Sequence, residues 1–150
     1  MNPFQQAIRI QAPIDTVFAL LADFQNIKRL HPLVVRVHVT RLEQPNTVRL
    51  DVKDRINMLG FIPIYTSYQS VAQVHKEEFR IRFETKASPN IRIQSEYNLR
   101  AEGEFTLVEE KASFTCPSYV ERFAFQQFIS SHHSMFAQLK AILEKGADAS

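Results

Sequence analysis

Apolar and polar residues alternate with a period of two along most of this chain, and a helical period replaces it in two places. Phe4, Ile8 and Ile10 alternate with Gln5, Arg9 and Gln11, which predicts a half-buried strand over 4–12. Pro13 then opens a helix, where its missing N–H is no loss, with Asp15 in the first turn and Val17, Phe18, Leu20 and Leu21 as its apolar side. Asp23 is placed to cap a second short helical segment, Phe24 to Leu30, which Pro32 stops.

From Leu33 the period is two again. Val35, Val37 and Val39 alternate with Arg36, His38 and Thr40; after a turn at Gln44 to Asn46, Val48, Leu50 and Val52 alternate with Arg49, Asp51 and Lys53. Asn57 to Gly60 reads as a partly apolar loop, followed by a long strand from Ile62 to His75 and a tight turn at Lys76 to Glu78. Phe79, Ile81 and Phe83 face one way, and Ile91, Ile93, Tyr97 and Leu99 do the same after a turn at Ala87 to Asn90. In the last strand, Glu104 to Cys116, the apolar set moves from Phe105 and Leu107 to Ala112 and Phe114, which predicts a bulge near Glu109 to Lys111. Ser118 and Glu121 have capping-box spacing, and the helix they open extends to about Lys145, with Gly146 placed to end it.

The order is strand, two short helices, six strands in succession and one long helix. Strands joined by short turns are antiparallel, so the expected class is α+β: a curved seven-stranded antiparallel sheet wrapped around the C-terminal helix. That helix, about 40 Å long at roughly 1.5 Å per residue, is the only element able to cover the apolar face. No repeat or linker divides the chain, so a single domain over 1–150 is expected.

Composition narrows the function. Hydrophobic residues at 45% and charged residues at 23% exclude disorder, and a net charge of +2 is too small to make nucleic acid the default partner. No apolar run is long enough to span a bilayer, the N-terminus has no signal pattern, and the lone Cys116 fits a reducing cytoplasm, so a cytoplasmic location is expected. Three glycines leave little for phosphate-cradling loops, whereas twelve phenylalanines imply an aromatic core or an aromatic-lined pocket.

The chain resembles the START-like superfamily, also called SRPBCC, whose helix-grip members include birch-pollen-allergen relatives and polyketide cyclase/dehydrase and lipid transport-like proteins. The resemblance covers nearly the whole chain. It is carried by Ala12-Pro13-Ile14-Asp15-Thr16-Val17-Phe18, by Leu21-Ala22-Asp23-Phe24 and His31-Pro32-Leu33-Val34, and by Pro117, His132-His133 and Leu139 to Glu144. It implies an internal cavity, but the fold hosts carriers, cyclases, chaperone activators and oxygenase domains alike. The oxygenase branch does not fit, because its iron and iron–sulfur ligands are missing.

Candidate site residues follow from the inward positions. At about 100° per residue, the last helix carries an apolar stripe including Phe128 and Met135, with His132 near its middle and His133 at its edge. On the sheet, Ile64 and Phe83 supply apolar wall, while Thr66, Tyr68, Ser95 and Tyr97, with Asp54 near the rim, are the polar minority that orients a ligand. His132 with Tyr68 or Tyr97 is the candidate catalytic set; the competing reading is a core histidine bonded to a carbonyl or a tyrosine. Histidine spacing gives no metal site, and no cofactor is expected. Cys116 reads as a small buried hydrophobe, and Arg80, Arg82, Arg92 and Arg100 as a solvated face.

The expected function is binding or transport of a small hydrophobic molecule, whether lipid, isoprenoid or polyketide-like aromatic. The alternatives are a cyclase or dehydratase, and an interaction module of the chaperone-activating or quinone-chaperoning kind. The last requires a filled core and an exposed apolar patch such as Met58 to Phe61, a loop for which the sequence equally allows a lid, a membrane-touching tip or a segment folded back onto the first helix. The sequence leaves the oligomeric state open.

Overall fold

The computed structural model describes residues 2–58 and 61–148. Strand β1 (Asn2–Ile10) leads into α1 (Ile14–Ala22), a 3₁₀ turn (Phe24–Asn26) and α2 (Ile27–Leu30). Six strands follow: β2 (Val34–Arg41), β3 (Thr47–Met58), β4 (Ile62–His75), β5 (Arg80–Ala87), β6 (Ile91–Glu102) and β7 (Phe105–Thr115). The helix α3 (Ser118–Asp148) closes the chain. All seven strands form one antiparallel sheet in the order β1-β7-β6-β5-β4-β3-β2. This is the helix-grip architecture that the alternation predicted.

Local chemistry accounts for the joints. The Asp23 carboxylate accepts the Gln25 N–H at 3.2 Å, capping the turn into α2. Asn46, Phe79 and Gly103 adopt positive φ at three of the hairpin connections, a strained choice for Phe79 but an easy one for glycine. Buried Ile10, Val17, Leu50, Ile81, Val108 and Leu139 form the main core, where Met135, Phe136 and Leu139 of α3 meet α1 and the sheet. A second cluster packs Phe128 of α3 on Ala112 and Phe114. His132 lies between the two along the helix.

Four boundaries differ from expectation. The bulge expected near Glu109 to Lys111 is missing, because β7 keeps an unbroken register with both β1 and β6. Thr106, Val108, Glu110, Ala112 and Phe114 all point inward, while Phe105 is exposed and Leu107 only half-buried. The apparent change of phase came from Glu110, a carboxylate on the buried face. A bulge does occur in β2, between Val34 and Arg36, and it leaves Val35 exposed and Val34 buried. The loop after β3 is shorter than read, since Asn57 pairs with Pro63 and Met58 with Ile62. Of the apolar patch Met58 to Phe61, Leu59 and Gly60 lie outside the described residues; Phe61 is 76% exposed. Finally, α3 continues past Gly146 to Asp148, as an interior glycine costs only about 1 kcal/mol relative to alanine.

Among the described residues no helix is long and apolar enough to cross a membrane.

Candidate functional site

The curved sheet stands off from α3 and leaves a cavity of about 420 Å³ between them. Leu50, Val52, Ile81 and Ile93 form its floor on the sheet, Phe24 and Leu30 one wall, and Phe128 and Met135 the helical side. Every candidate site residue named from the sequence lines this space: Asp54, Ile64, Thr66, Tyr68, Phe83, Ser95, Tyr97, Phe128, His132 and Met135. Alternation is enough to place the sheet residues, because a strand's inner face is fixed by parity alone.

The polar centre is a residue the pattern concealed. Glu110 is fully buried, and three donors converge on it. Its Oε1 accepts from Gln6 Nε2 at 2.7 Å. Its Oε2 accepts from the Tyr97 hydroxyl at 2.8 Å and lies 2.5 Å from His132 Nδ1. Strand register builds the arrangement, since Gln6, Glu110 and Tyr97 stand directly opposite one another on β1, β7 and β6. Gln6 also donates to the carbonyl of His132 at 3.1 Å, which ties α3 to the sheet edge at this turn. Tyr97 Oη and His132 Nδ1 approach to 3.3 Å because both serve one carboxylate oxygen.

A single acceptor therefore fixes the imidazole. With Nδ1 directed at Glu110, Nε2 is the nitrogen left for a guest in the cavity. The ring stacks 4.0 Å from Phe128 and lies 5.7 Å from the ring of His31. His31, at the end of α2, also lines the cavity, 3.4 Å from Ser131 Oγ. Burial, with His132 beside it, lowers its pKa to about 3, so it stays a neutral imidazole. Burial and the Glu110 carboxylate hold the Tyr97 phenol well above its ordinary range, keeping it a donor.

Tyr68 stands apart from this centre. It lines the cavity from β4, and no hydrogen bond joins it to His132 or Tyr97 among the described residues. Burial and the neighbouring Asp54 raise its pKa. Asp54 itself is pushed up to about 6 by burial, and its Oδ1 is buried without a hydrogen-bond partner among the described residues. Of the candidate catalytic pairs, the structure brings His132 to Tyr97 and leaves Tyr68 on another wall.

Sequence reasoning missed Glu110, Gln6 and His31. Glu110 and Gln6 were recoverable by parity, as they share the phase of Val108 and Ala112 and of Phe4 and Ile8. His31 gives no such signal, being brought in by the packing of α2 on α3. The remaining side chains have structural roles. Cys116 packs on the second core cluster, and burial, with Glu121 beside it, raises its thiol pKa, the reverse of an activated nucleophile. Outward Arg82 pairs with Glu96 at 2.7 Å and Arg100 with Glu102 at 3.3 Å. No group of three or more histidine, cysteine or acidic side chains suited to a metal occurs among the described residues.

The model of the family described as polyketide cyclase/dehydrase and lipid transport matches residues 1–144. No curated protein matches the sequence. Among solved structures, TTHA0849 from Thermus thermophilus is 18% identical with a TM-score of 0.77, covering 97% of this chain and 99% of that one. The Zhui aromatase/cyclase from Streptomyces sp. R1128 is 13% identical with a TM-score of 0.69, covering 96% and 92%. The di-domain ARO/CYC StfQ from the steffimycin biosynthetic pathway is 12% identical with a TM-score of 0.79, covering 97% of this chain and 51% of that one. This chain thus spans about half of the di-domain protein. At such identities the likeness is one of fold.

Proposed function

The chain belongs to the polyketide cyclase/dehydrase and lipid transport family, and from that premise we propose that it binds a small hydrophobic molecule between α3 and the sheet. The observation that carries this reading is the cavity of about 420 Å³, walled by apolar side chains and supplied with a few fixed polar groups. A guest that buries roughly 300 Å² of apolar surface gains about 7 kcal/mol before ordering costs. Ile64, Phe83, Phe128 and Met135 would supply that area. Thr66, Ser95, Tyr97 and His132 would orient polar atoms. An interaction module with a filled interior has no use for such a void.

Titration with the neutral apolar dye Nile red tests this directly, together with native mass spectrometry of the protein as isolated. The expected result is saturable uptake at one dye per chain, or a co-purified hydrophobe. A protein that shows neither is not a carrier of this kind.

One observation favours a second, enzymatic reading: the 2.5 Å approach of His132 Nδ1 to the buried Glu110 carboxylate. A carboxylate behind an imidazole fixes its tautomer and orientation, which suits Nε2 to remove a proton from a substrate. Tyr97 would share in holding Glu110, and the reaction would be of the cyclase or dehydratase type. If so, His132→Gln loses about 10²–10⁴-fold in turnover of a β-polyketone while still taking up Nile red. Undiminished turnover in that variant would remove His132 from the chemistry.

A further inference from the structure

The polar groups of the cavity have a consistent sign. Asp54 on β3 is the one carboxyl group among the described residues that line it, with Tyr68 of β4 beside it, whereas Glu110 is fully buried behind Tyr97 and His132 and is not part of the lining. Among the described residues no lysine or arginine lines the space at all. The nearest candidate by sequence, Lys53, places its ammonium 5.0 Å above the ring of Tyr65 rather than inward. His31 is held neutral by burial, and Nδ1 of His132 is committed to Glu110.

The two carboxyl groups are not equivalent. Glu110 is satisfied by three donors from the protein itself. Among the described residues Asp54 has none for Oδ1, although that atom is buried, and its cross-strand neighbours Val34 and Thr66 give it no cationic partner. A buried acceptor without a donor is costly, and a guest that brings one recovers that cost. A guest that brings a negative charge instead meets the Asp54 carboxyl between apolar walls, with no lysine or arginine in the described lining to offset it.

We propose that Asp54 selects the ligand by charge, so that the cavity accepts uncharged molecules bearing a hydroxyl donor and rejects those bearing a carboxylate. This rests on the cavity-binding reading and narrows it to neutral, hydroxylated hydrophobes, phenols and long-chain alcohols among them, excluding free fatty acids. Asp54 acts as a specificity residue and takes no part in any bond-making step.

The test compares three probes of one shape: 2-naphthol, 2-naphthoate and naphthalene, titrated at pH 7.5 by fluorescence or calorimetry. We expect 2-naphthol to bind at least tenfold more tightly than 2-naphthoate, with naphthalene between them. Asp54→Asn keeps the shape of the side chain and removes its charge, so it should narrow the naphthol-to-naphthoate ratio several-fold by admitting the anion. A purely structural role for Asp54 would scale both affinities together and leave the ratio unchanged, which overturns the proposal. Naphthoate bound as tightly as naphthol by the unaltered protein also overturns it, with cavity binding intact. If naphthalene, naphthol and naphthoate are all refused, both readings fall.

Discussion

At the scale of single residues, the cluster around Glu110 commits three donors to one fully buried carboxyl group. Glu110→Gln keeps the volume but replaces one acceptor oxygen with an NH₂ group, so at least one donor faces another donor. A buried polar group left unpaired costs about 1–3 kcal/mol, which in a domain of this size lowers Tm by roughly 2–12 °C. Calorimetric melting of the variant checks this, and an unchanged Tm would mean that the cluster adds nothing to stability. Asp54 behaves in the opposite sense. A carboxyl whose pKa rises from 3.8 to about 6 on folding holds its proton more tightly in the native state than in the unfolded chain. Its contribution to stability is therefore full below pH 3.8 and lost as pH rises through about 6. Asp54→Asn removes that loss. The variant should melt with the unaltered protein near pH 4 and a few degrees above it at pH 7.5, a gain on the order of 1 kcal/mol once solvent screening is allowed for. A gap that does not widen with pH would show that Asp54 is not desolvated. Such a gain would also mean that the protein tolerates an unsatisfied carboxylate for reasons other than stability.

At the scale of elements, α3 is held at two points along its length, through Leu139, Phe136 and Met135 in one core and Phe128 in the other. Leu139 is fully buried, and Leu139→Ala should cost about 2–5 kcal/mol by denaturant titration. Phe123, on the same helix but 52% exposed, should cost far less on truncation to alanine, and equal losses would contradict the assignment of helix faces. The helix stripe that singles out these residues is readable from the sequence because a period of 3.6 survives one interruption at His132. The sheet was equally readable over β3 to β6, where inward and outward sets never exchange. It was misread in β2 and β7 for a common reason. Val35 is an outward apolar residue at a bulge, and Glu110 is an inward polar one in a regular strand, so each inverts the rule that relates polarity to face. Glu110 was read as a backbone irregularity because burying a carboxylate is ordinarily too costly to assume. What makes it tolerable is the row of Gln6 and Tyr97 on adjacent strands, and such a row is visible only once register is known. The pocket walls were thus legible from parity, whereas the hydrogen-bonded centre depends on contacts such as Gln6 with Glu110, more than a hundred residues apart.

At the scale of the whole molecule, an apolar cavity of about 420 Å³ forgoes packing that the core would otherwise gain. Filling the space should therefore stabilise the protein by either of two routes, a guest or a larger side chain. Ser95 suits the second route, since it lines the cavity from β6 opposite Phe83 and Ala112, and its hydroxyl has no hydrogen-bond partner to lose among the described residues. Ser95→Leu should raise stability by about 0.5–2 kcal/mol and reduce dye uptake sharply. Ligand acts by mass action: at a free concentration about one hundred times Kd it adds about 2.7 kcal/mol, or roughly 5–11 °C in Tm. The two routes compete for one volume. Ligand that shifts the Tm of the unaltered protein should accordingly leave Ser95→Leu nearly unmoved, and thermal-shift titration of both chains reads the difference. Equal shifts in the two would place the ligand elsewhere on the surface, because a leucine projecting from the cavity wall cannot be ignored by a guest that fills the space.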